Sequence, residues 1–418
     1  MKLAVLVWEY PPKIVGGLGT YAAEITRRFV LMDNDITIFT MNDDAGSLPT
    51  REIWRGIEIH RPIHIDVSDS LPDVIAEDIK KWGWGRGIHM FSKILVYNYL
   101  SASKLINELI KKEGIKYDIV VAHDWLSAMG GITVKKEAGL PLAFHVHSTE
   151  KGRTLGNGSE VVSNIELHCA MAADVIVTVS YAMKDELTNL GFPKEKIQVC
   201  YNGVDPQKYS PEAVDAEQIK KIRAFYGIKD DEFMILFLGR LVGVKGVDKL
   251  IMALPHVLQK TPKARLVIVG LGDLQEYLTN LVKATKMQDY VKFRFDFIPE
   301  EERILHYAAC DVAVFPSLYE PFGIVALEAM SMERPVVVGG AGVSGMREIV
   351  VCCGEEQCGF HVNPNNPSDI AWGINSTLES PEKTKWLGRN GRRRVLNEFT
   401  WDKIAERTLE IYEQTIKR

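Results

Sequence analysis

The sequence is short of several things, and each shortage closes off a class of function. Among its 418 residues there are 6 cysteines, too few and too scattered for a disulfide framework in a chain this long. Cys169, Cys200 and Cys310 stand alone on apolar segments and read as small core residues. Cys352, Cys353 and Cys358 fall close together near His361, but without the paired spacing of a zinc site. A redox-sensitive or disulfide-bonded loop is the alternative there. No run approaches the ~18 apolar residues of a membrane span. Basic charge is not in excess: 50 Lys and Arg against 55 Asp and Glu leave a net charge of −5. That gives no electrostatic reason to expect nucleic acid and argues against an acidic membrane surface. The one basic run, Gly388-Arg389-Asn390-Gly391-Arg392-Arg393-Arg394, reads as the solvated face or end of a helix. The apolar start Met1–Val7 is cut short by Glu9 and Pro11-Pro12, with no cleavage-like site after it. It reads as a first buried strand, and a cytoplasmic protein is expected.

What is present is ordinary for a globular α/β protein. Hydrophobic residues make up 46% and charged residues 25%, and the length suits two domains of roughly 200 residues each. Short apolar runs alternate with helical patterns, the signature of parallel sheets covered by helices. Asn202-Gly203-Val204-Asp205, with Pro206 and Pro211 after it, marks a linker. The expected division is therefore 1–203 and 204–400. An amphipathic helix, 401–418, closes the chain with Ile404, Leu409, Ile411, Tyr412 and Ile416 mostly on one side.

Polar residues gather where strands end. Asp311-Val312-Ala313-Val314 reads as a strand buried on both faces. Pro321 and Gly323 break it, and Ile324 to Met330 is a run of good helix formers. Strand, tight turn and helix in that order present a helix N-terminus, whose free N–H groups attract phosphate. Glu320 sits just before this turn and Glu328 two turns into the helix. Gly16 and Gly17 follow the first strand in the same way, and glycine lets backbone approach a phosphate closely. The strand Tyr117–Ala122 ends in His123-Asp124-Trp125, and Pro141–Phe144 runs into His145-Val146-His147. A second-half strand ends at Gly239-Arg240, with Lys245 five residues on; a bidentate guanidinium and a compact ammonium suit a diphosphate. Arg294 and Phe295 follow another strand. The loop Lys151–Ser159 reads either as an acceptor loop or as plain surface. Trp82 and Trp84 read as loop anchors, with sugar stacking as the alternative.

These residues carry a resemblance. Glu-x7-Glu within Glu320-Pro321-Phe322-Gly323 resembles the signature of retaining glycosyltransferases of the GT-B fold. The run Ser317–Met330 is most similar to family 4 and its glycogen-synthase-like relatives. Glu9-Tyr10-Pro11-Pro12, the Gly16-Gly17 loop, His-Asp-Trp and Gly239-Arg240-Leu241 with Lys245-Gly246 extend the likeness over essentially the whole chain. It implies two Rossmann-like domains facing each other across a cleft, with the last helix crossing back to the first. It implies transfer of glucose from ADP- or UDP-glucose to an α-1,4-glucan, with retention, and with neither cofactor nor metal. A small acceptor such as glucose 1-phosphate is the nearest alternative, and a nucleotide-sugar epimerase of similar fold is the rival from another class. Gly16, Gly17, Arg240, Lys245, Phe322, Gly323 and Ile324 would hold the diphosphate, Glu320 the sugar hydroxyls and Glu328 the ribose, with Arg294 and Phe295 near the nucleotide base. His147 would contact the transferred sugar near its anomeric carbon. His145, on the same side of the strand, competes for that role. His123, Asp124 and Trp125 would lie on the acceptor side. The expected partners are a nucleotide sugar and a glucan or small sugar, with no nucleic acid and no membrane span; the oligomeric state is left open.

Overall fold

Helices that start where buried strands end account for most of the architecture. The computed structural model describes residues 1–14, 16–42, 46–63 and 87–417. Val15 of the glycine loop, and Trp82 and Trp84, lie outside these described residues. The first sheet contains β1 (Lys2–Leu6), β2 (Asp35–Phe39), β3 (Arg51–Trp54), β4 (Ile57–His60), β5 (Ile119–His123), β6 (Leu142–Val146), β7 (Val175–Thr178) and β8 (Ile197–Val199). Its order is β3-β4-β2-β1-β5-β6-β7-β8. Only the edge pair β3/β4 is antiparallel; the other neighbours run parallel. The second sheet contains β9 (Phe233–Leu238), β10 (Ala264–Val269), β11 (Val291–Arg294), β12 (Val312–Phe315), β13 (Val336–Gly339) and β14 (Gly359–Val362). It is parallel throughout, in the order β11-β10-β9-β12-β13-β14. Strands such as Ile119–His123 and Val312–Phe315 are buried at every residue, which is why they read as unbroken apolar runs and not as alternation.

Both sheets reverse their strand order at one point. In the first, β1 lies between β2 and β5; in the second, β9 and β12 are neighbours. The carboxyl ends of such strands flank a crevice, the usual ligand position in open α/β sheets. Gly16-Gly17 lie where the chain after β1 enters the helix Gly17–Leu31, and His123-Asp124 sit at the junction of β5 with the helix Asp124–Ala138. The loops after β9 and β12 carry Arg240, Lys245 and Glu320. An Asp-x-Asp triplet, Asp33-Asn34-Asp35, lies at the amino end of β2, away from this edge. There the Asn34 amide donates to Phe29 O and Met32 O, at 3.1 and 2.8 Å.

The two chain crossings between the domains run side by side. Val204 N–H donates to Phe399 O at 2.9 Å, and Val204 pairs with Thr400 as a parallel bridge. Beside them lies the buried Arg28 of helix α1 (Gly17–Leu31). Its guanidinium reaches Glu24, Asp205 at 3.0 Å and Asp402 at 3.6 Å. The final helix, Trp401–Ile416, returns to the first domain. There Trp401, Ile404, Leu409, Ile411 and Tyr412 join one apolar cluster with Leu3, Val5, Tyr21, Ile25 and Phe29. Among the described residues no helix is long and apolar enough to cross a membrane.

Some local readings change. The apolar residues that recur at helical spacing from Phe91 to Lys112 predict one long helix, but the α-helix Gly87–Ser103 passes into a π-helix over Lys104–Lys112. The basic run is not simply solvated: Arg392 donates to Tyr209 O and Ser331 O, and Arg394 to Ile349 O and Glu348 O. All six cysteines are free thiols, and the His361 ring donates to Val350 O at 2.8 Å, so that loop gathers no His–Cys ligand set.

Because Trp401 is 2% exposed inside the first domain's cluster, Trp401→Ala should destabilise that domain by about 3–5 kcal/mol. Urea unfolding followed by tryptophan fluorescence measures this; a change below about 0.5 kcal/mol would contradict the packing described.

Candidate active site

The second domain supplies a compact charged centre. β9 ends at Gly239, and Arg240 projects an exposed guanidinium with no ion pair or hydrogen bond among the described residues. The chain then makes a short 3-10 turn, Gly243–Lys245, which brings Lys245 Nζ to 2.5 Å from Glu320 Oε2. Ser317 Oγ donates to the same oxygen at 3.1 Å. The backbone of Glu320 is fixed as well: its N–H donates to Val343 O, and its carbonyl accepts from Gly345 N–H. After Glu320 the chain enters helix α2 (Ile324–Ser331) through Gly323 at φ +103°. A Cβ there would lie 2.5 Å from the Met346 methyl, and the backbone angle is one side chains resist. Phe322 anchors this turn from beneath, against Tyr201 and Phe399.

Glu328 is 2% exposed, and its carboxylate is already well held. It accepts from Tyr209 OH at 3.0 Å, Tyr307 OH at 2.8 Å and Arg303 Nη1 at 3.4 Å. The charge of Glu328 in turn holds the Arg303 guanidinium protonated beyond its ordinary range. Glu328 borders a narrow interdomain cavity lined also by Thr20, Glu24, Asp205, Ile324 and Trp401. Sequence reasoning missed Tyr209, Tyr307 and Arg303, whose only signal was their spacing from Glu328 in three dimensions. Arg294 is turned to Glu302, with Nη2 donating to Oε2 at 3.0 Å, and Phe293 and Phe295 stack on each other.

The first domain brings its own helix N-terminus to the same place. Gly16 N–H donates to Glu9 Oε2 at 3.0 Å, and α1 begins at Gly17. A Cβ built on Gly17 would stand 3.9 Å from Ile324 Cδ1. The starts of α1 and α2 therefore face each other from opposite domains.

Behind α1 lies a cluster of histidines. His123, which ends β5, is 2% exposed, and its Nδ1 is 3.1 Å from His147 Nε2. His145 Nε2 is 2.7 Å from Tyr412 OH of the final helix. Tyr21 meets the His147 ring edge-on at 4.7 Å between centroids. The Asp124 carboxylate accepts His147 N–H at 2.8 Å, fixing the backbone of that residue. Trp125 is half-buried beside it. His123 and Asp124 thus each place one polar atom on His147. Burial pushes all three imidazoles below their ordinary range, and Asp124 partly opposes this for His147. The cluster is therefore neutral near pH 7. One ring nitrogen from each lies within 4.8 Å of the others, close enough for a metal ion. The nitrogens of His123 and His147, however, already bond to each other.

The loop 151–159 is pinned rather than free. Arg153 turns inward to Ser148 Oγ at 2.7 Å, Glu150 Oε2 at 3.0 Å and Glu166 Oε1 at 3.7 Å. Burial raises the Glu166 carboxyl to about 8, with Arg153 partly offsetting it.

Comparison with known proteins places this geometry in a family. Residues 15–208 match the family described as Glycosyltransferase Family 4, and residues 218–394 match Glycosyl transferases group 1. An uncharacterized glycosyltransferase of Methanocaldococcus jannaschii is 34% identical over 99% of this chain and 98% of its own length. A glycogen synthase of Mycobacterium tuberculosis is 26% identical over 99% of this chain and 94% of its own. Among solved structures, HepE of Anabaena in complex with UDP-glucose superposes with a TM-score of 0.75 at 22% identity. That match covers 99% of this chain and 100% of HepE. With two parallel-sheet domains, a helix crossing back between them and both family segments in order, the chain belongs to the group 1 and family 4 glycosyltransferases of the GT-B fold.

Proposed function

We propose that this protein transfers a glucosyl group from ADP- or UDP-glucose to an α-1,4-glucan, with retention at the anomeric carbon. The observation that carries the reading is the meeting of two helix N-termini, Gly17 and Ile324, from opposite domains. Beside them stand the free Arg240 and the Lys245–Glu320 pair. A departing nucleoside diphosphate develops negative charge, and preorganised cations and backbone N–H groups stabilise it without a metal. The UDP-glucose bound to HepE and the glycogen synthase among the relatives support the donor class and the glucan acceptor respectively.

Each residue then has one task. Arg240, Lys245, the Gly16-Gly17 backbone and the Phe322-Gly323-Ile324 turn hold the diphosphate. Glu320, steadied by Lys245 and Ser317, accepts from the sugar hydroxyls. Glu328, fixed by its two tyrosines and Arg303, is presented to the ribose. Neutral His147 bonds to the sugar near its reactive carbon, with Asp124 and His123 holding it in place. Trp125 offers a flat face at the acceptor edge.

Incubation with labelled ADP-glucose or UDP-glucose and a panel of acceptors tests the reading. A lengthened glucan supports it. Transfer only to glucose 1-phosphate or another small sugar, or an epimerised donor, overturns the acceptor or the reaction respectively. Glu320→Gln should cut kcat by about 100-fold or more while donor affinity stays within about threefold; near-normal turnover contradicts its role. Lys245→Ala should weaken donor binding roughly 10- to 100-fold, the worth of a charge-assisted contact of about 1.5–3 kcal/mol. Transfer should persist in excess EDTA, and loss of turnover restored by a divalent ion would reject the metal-free scheme. Because burial lowers the His147 pKa, this imidazole stays neutral to more acid pH than a free one. The acid limb of kcat/KM should therefore fall below about 6.5. A half-point above that value, abolished in His147→Gln, would contradict the assignment.

A further inference from the structure

The loop that carries Glu320 does more than present a carboxylate, because the residue before it reaches into the other domain. Tyr319 is 5% exposed. Its hydroxyl accepts Thr149 N–H at 3.1 Å, donates to Glu186 Oε2 at 3.1 Å and lies 3.4 Å from Met183 Sδ. Thr149, Glu186 and Met183 all belong to the first domain. Thr149 Oγ1 donates to Glu186 Oε1 at 2.8 Å and accepts Gly152 N–H at 3.0 Å, so the receiving side is itself braced. The ring fills a socket that only glycine leaves open. A Cβ built on Gly152 would fall 2.1 Å from two ring carbons of Tyr319 and 2.4 Å from its oxygen.

Two further contacts flank this one. Ser180 Oγ donates to Pro321 O at 2.7 Å. Glu348 accepts from Tyr181 N–H at 3.0 Å and Ala182 N–H at 2.8 Å, which places a carboxylate on the N-terminus of the helix Tyr181–Asn189. Thr149 stands two residues past His147, and Tyr319 one residue before Glu320. We propose that Tyr319 is a positioning residue, keyed over Gly152 so that the strand end bearing His147 and the loop bearing Glu320 are held in register. The proposal rests on the transfer reaction put forward above, but its structural half does not need that reaction. Misplacing reacting groups by about 1 Å costs on the order of 100-fold in rate, and this phenol is the direct tie between the two segments. The nucleotide-holding side chains Arg240, Lys245 and Glu328 all lie within the second domain and the first adds only the Gly16-Gly17 backbone, so donor binding depends on this contact far less than transfer does.

Tyr319→Phe and Gly152→Ala in the full chain test the idea. The first removes the hydroxyl and keeps the ring; the second blocks the socket. Calorimetry with UDP-glucose and ADP-glucose reads donor affinity, steady-state kinetics read kcat, and small-angle scattering reads the separation of the domains. The expected result is donor affinity within about threefold of wild type, and kcat lowered at least about tenfold in Tyr319→Phe and further in Gly152→Ala. Scattering should show a larger radius of gyration for Gly152→Ala. Wild-type kcat in Tyr319→Phe, or a loss confined to donor affinity, overturns the proposal. So does a Gly152→Ala scattering profile that superposes on wild type. If the wild-type protein moves no glucose at all, the reaction fails as a reading, while the scattering comparison still decides the contact.

Discussion

A parallel sheet covered on both faces has few places for an unpaired polar group. Its central strands are buried on both faces, so exposed backbone N–H groups and polar side chains collect where strands stop and helices start. Everything functional in this protein follows from that constraint, applied twice. Each domain has one reversal of strand order, and each reversal opens a crevice at the carboxyl edge. The two crevices face each other, so the start of α1 and the start of α2 come within contact distance. Neither domain alone has both the Arg240 and Lys245 cations and the histidines.

Facing crevices need a hinge that keeps them aligned, and the hinge here is polar where it turns and apolar where it seals. Arg28 is almost wholly buried, yet it is matched by Glu24, Asp205 and Asp402 from three different segments. A charge removed from water in this way is costly unless its partners are fixed, and losing Arg28 would take this cation from the largely buried Glu24 and Asp205 together. The two crossings hydrogen-bond to each other beside it. On the sealed side, Phe322 of the turn into α2 packs on Tyr201 and Phe399, one from each crossing. The turn that presents the helix N-terminus thus rests directly on the segments that join the domains.

How much of this could be read from the sequence depends on whether the information was local. The strand runs, the glycine turn at Gly323, the Gly239-Arg240 strand end and the Glu320 to Glu328 spacing are all contained in windows of a few residues, and they led to the right edge of each sheet. Partners brought together by the fold were not legible. Tyr209 lies 119 residues from Glu328, Thr149 lies 170 from Tyr319, and His145 lies 267 from Tyr412. The burial of His123 and its contact with His147, 24 residues on, were likewise not written in any local window.

The final helix has a bearing on how the chain is made. The first domain's apolar cluster includes Leu3, Val5 and Phe29, and it is closed by Trp401, Ile411 and Tyr412. About 200 residues of the second domain separate these sets in the sequence. At roughly 5–20 residues per second of translation, the nascent first domain waits on the order of 10–40 s with one greasy flank uncovered. During that interval the growing second domain is a tethered neighbour, and the uncovered flank is a target for chaperones.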